Sequence, residues 1–282
     1  MIIKKSYARE EHYYFLKDVY PWNWGTKEKF FWKHSEDPFC GDDVYEAYEE
    51  GILIGILIAR KYLFKVKGEI MNFLCLMDFA VRKDFSNKGV GKLIENSISD
   101  NPSIDAKIGT ASTETYNKYY NKVPCYCEIK ETTAYAVKPV KFSIINNSED
   151  ISKRLNNNNK PFYIERTPQY VDWIKKCPDF KEVVFISDMN DNIAGIGIKD
   201  NLAHIIEFST MSEEFLKWSI SAASNFNSMV KFDVPEFIDL GNLEVDIISS
   251  KNLHIVFNPI SSRSYKLIKN NDKRWIPKVD RK

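Results

Sequence analysis

Apolar positions are densest in two neighbouring runs of the 282-residue chain, Ile52–Tyr62 and Met71–Val81. Both are β-prone and long enough for buried strands. Asp43–Glu49 supplies a third strand, joined to the first run across Glu50-Gly51 as a hairpin. After Val81 the pattern changes. A charged turn, Arg82-Lys83-Asp84-Phe85, leads into Ser86-Asn87-Lys88-Gly89-Val90-Gly91-Lys92, and Val90, Leu93, Ile94 and Ile98 then recur at helical spacing. A helix is therefore predicted to open where the glycines sit. Ala106–Ser112 reads as a short strand, and Thr113–Lys122 as a helix with Thr113 at its N-cap and Tyr116 and Tyr120 on one face. Residues 1–40 read as two aromatic-rich helices broken at Pro21-Trp22-Asn23-Trp24-Gly25, with Thr26 capping the second. Their rings suit core packing or an aromatic-lined cleft.

The second half reads as a faded copy of the first. Trp173 precedes Pro178-Asp179-Phe180 as Trp32 precedes Pro38-Phe39, and the hairpin Val183–Ser187 to Ile193–Ile198 echoes Val44–Glu49 to Ile52–Ile58. The tryptophans are 141 positions apart, and Gly55 and Gly195 are 140 apart. Strand Leu202–Ser209 aligns with Met71–Val81, but Met211–Phe226 after it holds no glycine with which to open a phosphate nest. A later strand, Leu253–Asn258, and the basic tail Lys266–Lys282 follow. Part of the asparagine-rich stretch 140–160 reads as a linker, which divides the chain into domains 1–140 and 141–282.

A strand, a glycine-bearing turn and a helix N-terminus together suit phosphate. Backbone N–H groups converge there, and the helix dipole adds roughly half a positive charge. Gly89 and Gly91 remove side chains that would bar the anion, while Lys88 and Lys92 add charge. There is no GxxxxGK[ST], and the third glycine of a dinucleotide fingerprint is missing. The segment resembles motif A of the GCN5-related N-acetyltransferases, a strand ending in Asp/Glu-x-x-Val followed by Arg/Gln-x-x-Gly-x-Gly/Ala. Asp78-Phe79-Ala80-Val81 matches the strand end, Phe85 the usual aromatic, and Gly89-Val90-Gly91 the loop. Ser86 departs from the family's Arg or Gln, and Lys83 from a common proline. Downstream, Tyr120-Asn121-Lys122-Val123 is similar to the Tyr-x-Lys of motif B, although Pro124-Cys125 replaces Gly-Phe.

The resemblance implies an α/β (α+β) fold, with a mixed, mostly antiparallel sheet flanked by helices, in two tandem units. It implies acetyl-CoA as co-substrate. Phe79, Ala80 and Val81 would hold its pantetheine arm, and Ser86, Asn87, Lys88, Gly89, Val90, Gly91 and Lys92 its pyrophosphate. Tyr120 would protonate the departing thiolate, a fitting task for a phenol of pKa near 10; Tyr119 and Tyr116 are fallbacks if the register shifts. Asp78 is the carboxylate nearest the reacting centre, either taking the amine proton through a water or bonding a loop backbone. Met77 stands where relatives often carry Glu. The implied acceptor is a primary amine, an amino sugar or another small amine. The second half, lacking the loop, is expected to bind no coenzyme A and to wall the acceptor cleft.

Composition narrows the alternatives. With 40 basic and 39 acidic residues there is no clustered positive charge for nucleic acid. No apolar run approaches a membrane span, and the charged N-terminus is no secretory signal. Five cysteines without CxxC spacing and four scattered histidines suggest neither a disulfide framework nor a metal site. A soluble, cytoplasmic protein is expected. Two other classes share the fold: a disabled acyltransferase acting as a binding or regulatory module, and a peptidoglycan-type aminoacyl transferase. The latter usually carries a coiled-coil arm and lacks the GxG loop, whereas this chain has the loop and no heptads.

Overall fold

A computed structural model describes residues 1–21, 25–39, 41–99, 101–120, 125–136, 140–156, 162–235, 237–243, 245–260 and 265–266. For Ser112, Tyr119, Tyr120, Cys125, Tyr126, Cys127, Ala136, Phe162 and Leu240 it describes the backbone alone. One sheet runs through the molecule, with strands β1 (Ile2–Tyr7), β2 (Asp43–Glu49), β3 (Ile52–Val66), β4 (Glu69–Val81), β5 (Ala106–Ser112), β6 (Cys125–Ala136), β7 (Ser143–Ile145), β8 (Phe162–Ile164), β9 (Glu182–Ser187), β10 (Ile193–Lys199), β11 (Leu202–Phe208), β12 (Met229–Pro235) and β13 (Val245–Pro259). The helices are α1 (Glu10–Val19), α2 (Lys27–His34), α3 (Val90–Ser99), α4 (Thr113–Thr115), α5 (Ser148–Asn156), α6 (Pro168–Lys175) and α7 (Glu213–Ala223). The fold is thus a mixed, mostly antiparallel sheet flanked by helices. The joins β4–β5 and β11–β12 are parallel.

Strand order exposes the internal repeat. The sheet reads β1-β2-β3-β4-β5-β13-β6-β12-β11-β10-β9-β7, with β8 added beside β3. Outward from the central β13–β6 pair, the two arms match strand for strand. Each half has handed its last strand to the other, since β13 lies between β5 and β6 while β6 lies between β13 and β12. The antiparallel β13–β6 register runs from Val245↔Ala136 to Phe257↔Cys125. On one face α3 buries Val90, Ile94 and Ile98 against Tyr45, Leu57 and Leu74, and α7 does the same in the second arm with Phe215, Leu216 and Ile220. On the other face lie α1 and α2, then α5 and α6. There Trp32 and Trp173 stack with centroids 4.5 Å apart and planes 8° apart. Trp32 Nε1 donates to the Trp173 carbonyl at 2.9 Å, and Trp173 Nε1 donates to the Trp32 carbonyl at 2.8 Å. Such reciprocity is what two equivalent residues at a pseudo-twofold axis produce.

Three readings change. The N-terminus opens with an edge strand rather than a helix, because Ile2–Tyr7 pairs residue for residue with Tyr48–Asp43. The asparagine-rich stretch holds α5. The Asn147 side chain accepts from the Asp150 amide at 2.9 Å, and Ile151 and Leu155, one turn apart, are buried; residues 157–161 lie outside the described ones. The helix predicted over 113–122 is one short turn, Thr113–Thr115, followed by a wide turn, Tyr116–Tyr120. No described helix is long and apolar enough to cross a membrane.

Candidate active site

β4 and β5 start out paired and then part. Their parallel register covers only Phe73↔Ala106 to Cys75↔Ile108. Above it β4 carries a bulge at Met77, where the β3 pairing steps from Ala59↔Leu76 to Ile58↔Asp78. The bulge resets the alternation of side chains. Asp78 and Ala80 face α1 and α2, while the Phe79 ring faces α3. Arg82 N donates to the Ile54 carbonyl at 2.9 Å, and antiparallel alternation then aims the peptide groups of Phe79 and Val81 away from β3, into the gap. The Tyr20 hydroxyl, from the end of α1, donates to the Phe79 carbonyl at 2.9 Å.

The gap opens into a cavity of about 270 Å³ on the α3 face. Leu76, Met77 and Phe79 of β4 form one wall, Gly109 and Thr110 of β5 another, and Val256 and Asn258 of β13 extend it. The last two come from the C-terminal half. Near the start of β5 a buried Lys107 reaches Glu95 Oε1 at 2.8 Å and Ser99 Oγ at 3.1 Å, both on α3.

The glycine turn stands at the mouth. Ser86 N and Lys88 N bond back to the carbonyls of Lys83 and Phe85. Asn87 and Gly89 have positive φ, +64° and +79°. The first helical bond runs from Leu93 N to Gly89 O at 3.1 Å, so the N–H groups of Val90, Gly91 and Lys92 occupy the first turn, where helix geometry supplies no acceptor. Gly91 is bare for a different reason from Gly89: a Cβ there would stand 3.0 Å from the Phe79 ring. Lys88 Nζ lies 4.7 Å from the Phe85 ring centroid, and Lys92 is exposed. Uncapped amides, a helix dipole and two lysines make a cradle that fits a diphosphate.

On the opposite face Asp78 Oδ2 takes Lys33 Nζ at 2.7 Å and His34 Nε2 at 2.9 Å. His34 Nδ1 meets Asp42 Oδ2 at 2.5 Å, and Asp42 Oδ1 accepts from Arg60 Nε at 2.7 Å. Arg60 Nη2 also donates to the Lys33 carbonyl. Burial pushes the Asp78 carboxyl up, but the Lys33 charge and the His34 bond outweigh it and hold the group well below the usual carboxylate range. Asp42 is pushed up by burial and drawn down further by Arg60 and His34. Burial, with the Asp78 charge added, raises Tyr20. None of Lys33, His34, Asp42, Arg60 or Tyr20 was legible as a site residue. The one available signal was the charge of Arg60 directly after the apolar run Ile52–Ala59.

Beyond β5, the turns of α4 and Tyr116–Tyr120 lean on β13. The Tyr116 and His254 rings stack at 4.4 Å and 10°. The backbone of Tyr120 ends the wide turn, and its side chain, like residues 121–124, lies outside those described. Of the residues singled out in the sequence, Phe79 and Gly91 line the cavity, and Val90 is buried in the core beneath α3 with Val81 packed against it. Gly89 and Lys92 flank Gly91 in the turn and first helical residues, and Asp78 and Ala80 lie behind β4. One further cluster, Glu11, His12 and Glu46, has ligand-like spacing among the described residues. Arg9 Nη2, 2.5 Å from both Glu11 and Glu46, already supplies its positive charge.

No protein-family model matches the sequence, and no curated protein matches it. Solved structures do. A conserved Enterococcus faecalis protein of unknown function, described as a probable N-acyltransferase, superposes with a TM-score of 0.67 at 12% identity, over 94% of this chain and 74% of its own. A GCN5-related N-acetyltransferase from Kribbella flavida gives 0.66 at 10% identity, over 93% and 72%. Saccharomyces cerevisiae N-myristoyltransferase with bound myristoyl-CoA gives 0.58 at 10% identity, over 91% and 79%. The chain has the fold of the GCN5-related N-acetyltransferases across nearly its whole length.

Proposed function

We propose that this chain, built on the acyltransferase fold just established, is an N-acyltransferase that moves an acetyl group from acetyl-CoA to a primary amine, an amino sugar or another small amine. The observation that carries the reading is the continuity between the β4–β5 gap, where the Phe79 and Val81 peptide groups are turned inward, and the uncapped first turn of α3 on its glycine turn. The gap suits an extended amide-bearing arm and the turn suits its diphosphate. In this reading the backbone of Phe79 and Val81 holds the arm, Ala80 between them keeps the strand paired to β3, and Ser86 to Lys92 form the turn.

Acetyl-CoA supplies an activated acyl group. The acceptor nitrogen gains the C–N bond, the C–S bond breaks, and the thiolate leaves needing a proton. We assign that proton to Tyr120. The amine, mostly an ammonium at neutral pH, must shed one. Asp78, held anionic by Lys33 and His34, is too weak a base to keep it. In this reading Asp78 receives the ammonium as a charge partner and a water carries the proton away. Domain 1–140 holds the chemistry and domain 141–282 binds no coenzyme A, because α7 is closed to phosphate. Its N-cap Ser212 takes the Phe215 amide, and Glu213 and Glu214 fill the first turn.

Calorimetric titration with acetyl-CoA, followed by thiol release in the presence of amines and amino sugars, tests the proposal. One-to-one binding followed by amine-dependent thiol release is expected. A chain that binds neither acetyl-CoA nor free coenzyme A at millimolar concentration is not this enzyme.

A further inference from the structure

The strand that the C-terminal half lends to the first half does more than complete a sheet. On β13, His254 lies opposite Ala111 of β5 and Glu128 of β6. With strand period two it shares the α3 face with Val256 and Asn258, which wall the cavity. It is only 6% exposed. Its ring stacks on Tyr116, with centroids 4.4 Å apart and planes within 10°. Its Nε2 lies 3.2 Å from Thr113 Oγ1. Both contacts go to one segment, the short α4 and the wide turn after it.

That segment needs outside support. A three-residue helix cannot offset its own nucleation penalty, and a wide i→i+5 turn is intrinsically rare. Yet on the acyltransferase reading its last residue, Tyr120, must meet the leaving sulfur, and a displacement of about 1 Å at such a centre costs on the order of 10²-fold in rate. We propose that His254 is a positioning residue, delivered by the C-terminal half, that clamps the turns Thr113–Tyr120 and so sets the proton donor of the N-terminal site. The clamp has two parts, a stack on Tyr116 and a hydrogen bond to Thr113. The proposal rests on the acyltransferase reading only for its catalytic consequence; the clamp itself is a statement about the fold.

Two measurements test it on the full chain. Hydrogen exchange read by mass spectrometry should show His254→Ala accelerating exchange in residues 113–120 while α3 stays protected. In turnover, His254→Ala should lower kcat by about tenfold or more with the KM for acetyl-CoA little changed. His254→Phe, which keeps a flat ring on Tyr116, should recover most of the loss. Because the two rings act as one unit, the double variant His254→Ala/Tyr116→Ala should be no slower than the slower single variant. Unchanged exchange in 113–120 overturns the clamp. Altered exchange with wild-type kcat, or additive losses in the double variant, overturns its role in catalysis. A wild-type chain without turnover refutes the acyltransferase reading instead, and the exchange arm, which needs no substrate, still decides whether His254 holds the turns.

Discussion

Gly89 and Gly91 stand two residues apart, yet their surroundings predict different effects of alanine on stability, while the proposed function predicts the same effect on binding. Gly89 has φ +79° and open space where a Cβ would sit, so Gly89→Ala meets no clash and incurs only the left-handed backbone penalty, about 1–2 kcal/mol. Gly91 is already in the helix. Alanine there gains up to about 1 kcal/mol of helix propensity. Against that gain stands a Cβ 3.0 Å from the tip of Phe79. That ring is 45% exposed and can swing by a few tenths of an ångström. Gly91→Ala should therefore leave stability unchanged or slightly raised. For a chain of this size about 1 kcal/mol moves Tm by roughly 2–4 °C. The Gly89 variant should melt about 2–8 °C lower, and the Gly91 variant at or just above wild type.

Binding should fall in both. The methyl group added by Gly89→Ala would enter the open space at the cradle, and the one added by Gly91→Ala would stand on the cavity wall beside the first-turn amides. A tenfold loss of acetyl-CoA affinity corresponds to about 1.4 kcal/mol, and each variant should lose at least that by calorimetry. Melting by differential scanning calorimetry without ligand separates the two effects. Wild-type affinity in both variants, with melting as described, refutes the placement of the diphosphate at this turn. Matching Tm losses in both would refute the distinction between a backbone requirement and a space requirement.

Other consequences are as direct. Tyr120→Phe should reduce turnover about 10²–10⁴-fold with acetyl-CoA affinity unaltered; near-normal turnover, with chemistry rate-limiting, removes Tyr120 and favours Tyr116. Trp173→Phe keeps a stacked ring but deletes the donor to the buried Trp32 carbonyl, so urea unfolding should show a loss of about 1–3 kcal/mol, and no loss would mean the reciprocal bonds contribute nothing. Burial, opposed by Glu46, lowers His12, so the folded ring stays neutral below its unfolded pKa of about 6.5. Stability is then fully present above that pH and declines as pH falls through it. His12→Gln should flatten the decline below about pH 6.5 in urea titrations, and an identical slope rules it out.

Strand-forming runs and the glycine turn were legible because their signals are local. Met71–Val81 is apolar at nearly every position, and Gly89-Val90-Gly91 sits where apolar spacing changes from strand to helix. The tandem architecture was legible through Trp32 and Trp173, which turned out to touch each other. What could not be read is set by tertiary neighbours. The bulge at Met77 leaves no mark in the sequence, yet it decides which face Asp78 takes. The ladder from Asp78 through His34 and Asp42 to Arg60 joins α2, a loop and two strands, and no spacing rule connects them. His254 belongs to a strand that pairs 141 residues away from Thr113. Asn147 misled in the opposite way, since the same residue type that punctuates loops also caps helices.

The exchange of β6 and β13 explains how the two halves can differ after the bulged strand, with a glycine turn in one and none in the other, while both stay structurally indispensable. Were the halves merely beads on a chain, a second unit with a closed α7 would be dispensable. Here β5 has β13 as its partner along Ala106–Ser112, so the far wall of the N-terminal cavity exists only when the C-terminal half is folded. The acid on the bulge-bearing strand persists in both arms. Glu207 receives Arg166 Nε at 2.9 Å and the Tyr170 hydroxyl at 2.9 Å from the α6 side, as Asp78 receives Lys33 and His34 from α2. An acid placed this way in an arm whose following helix has no glycine turn has a local use, which is to fasten a helix to the open end of a parted strand pair. The same reasoning applies to Asp78, whose two cationic partners make it an anchor for α2 before any substrate arrives. A charge partner for an incoming ammonium can then be a second use of a carboxylate that the fold already requires.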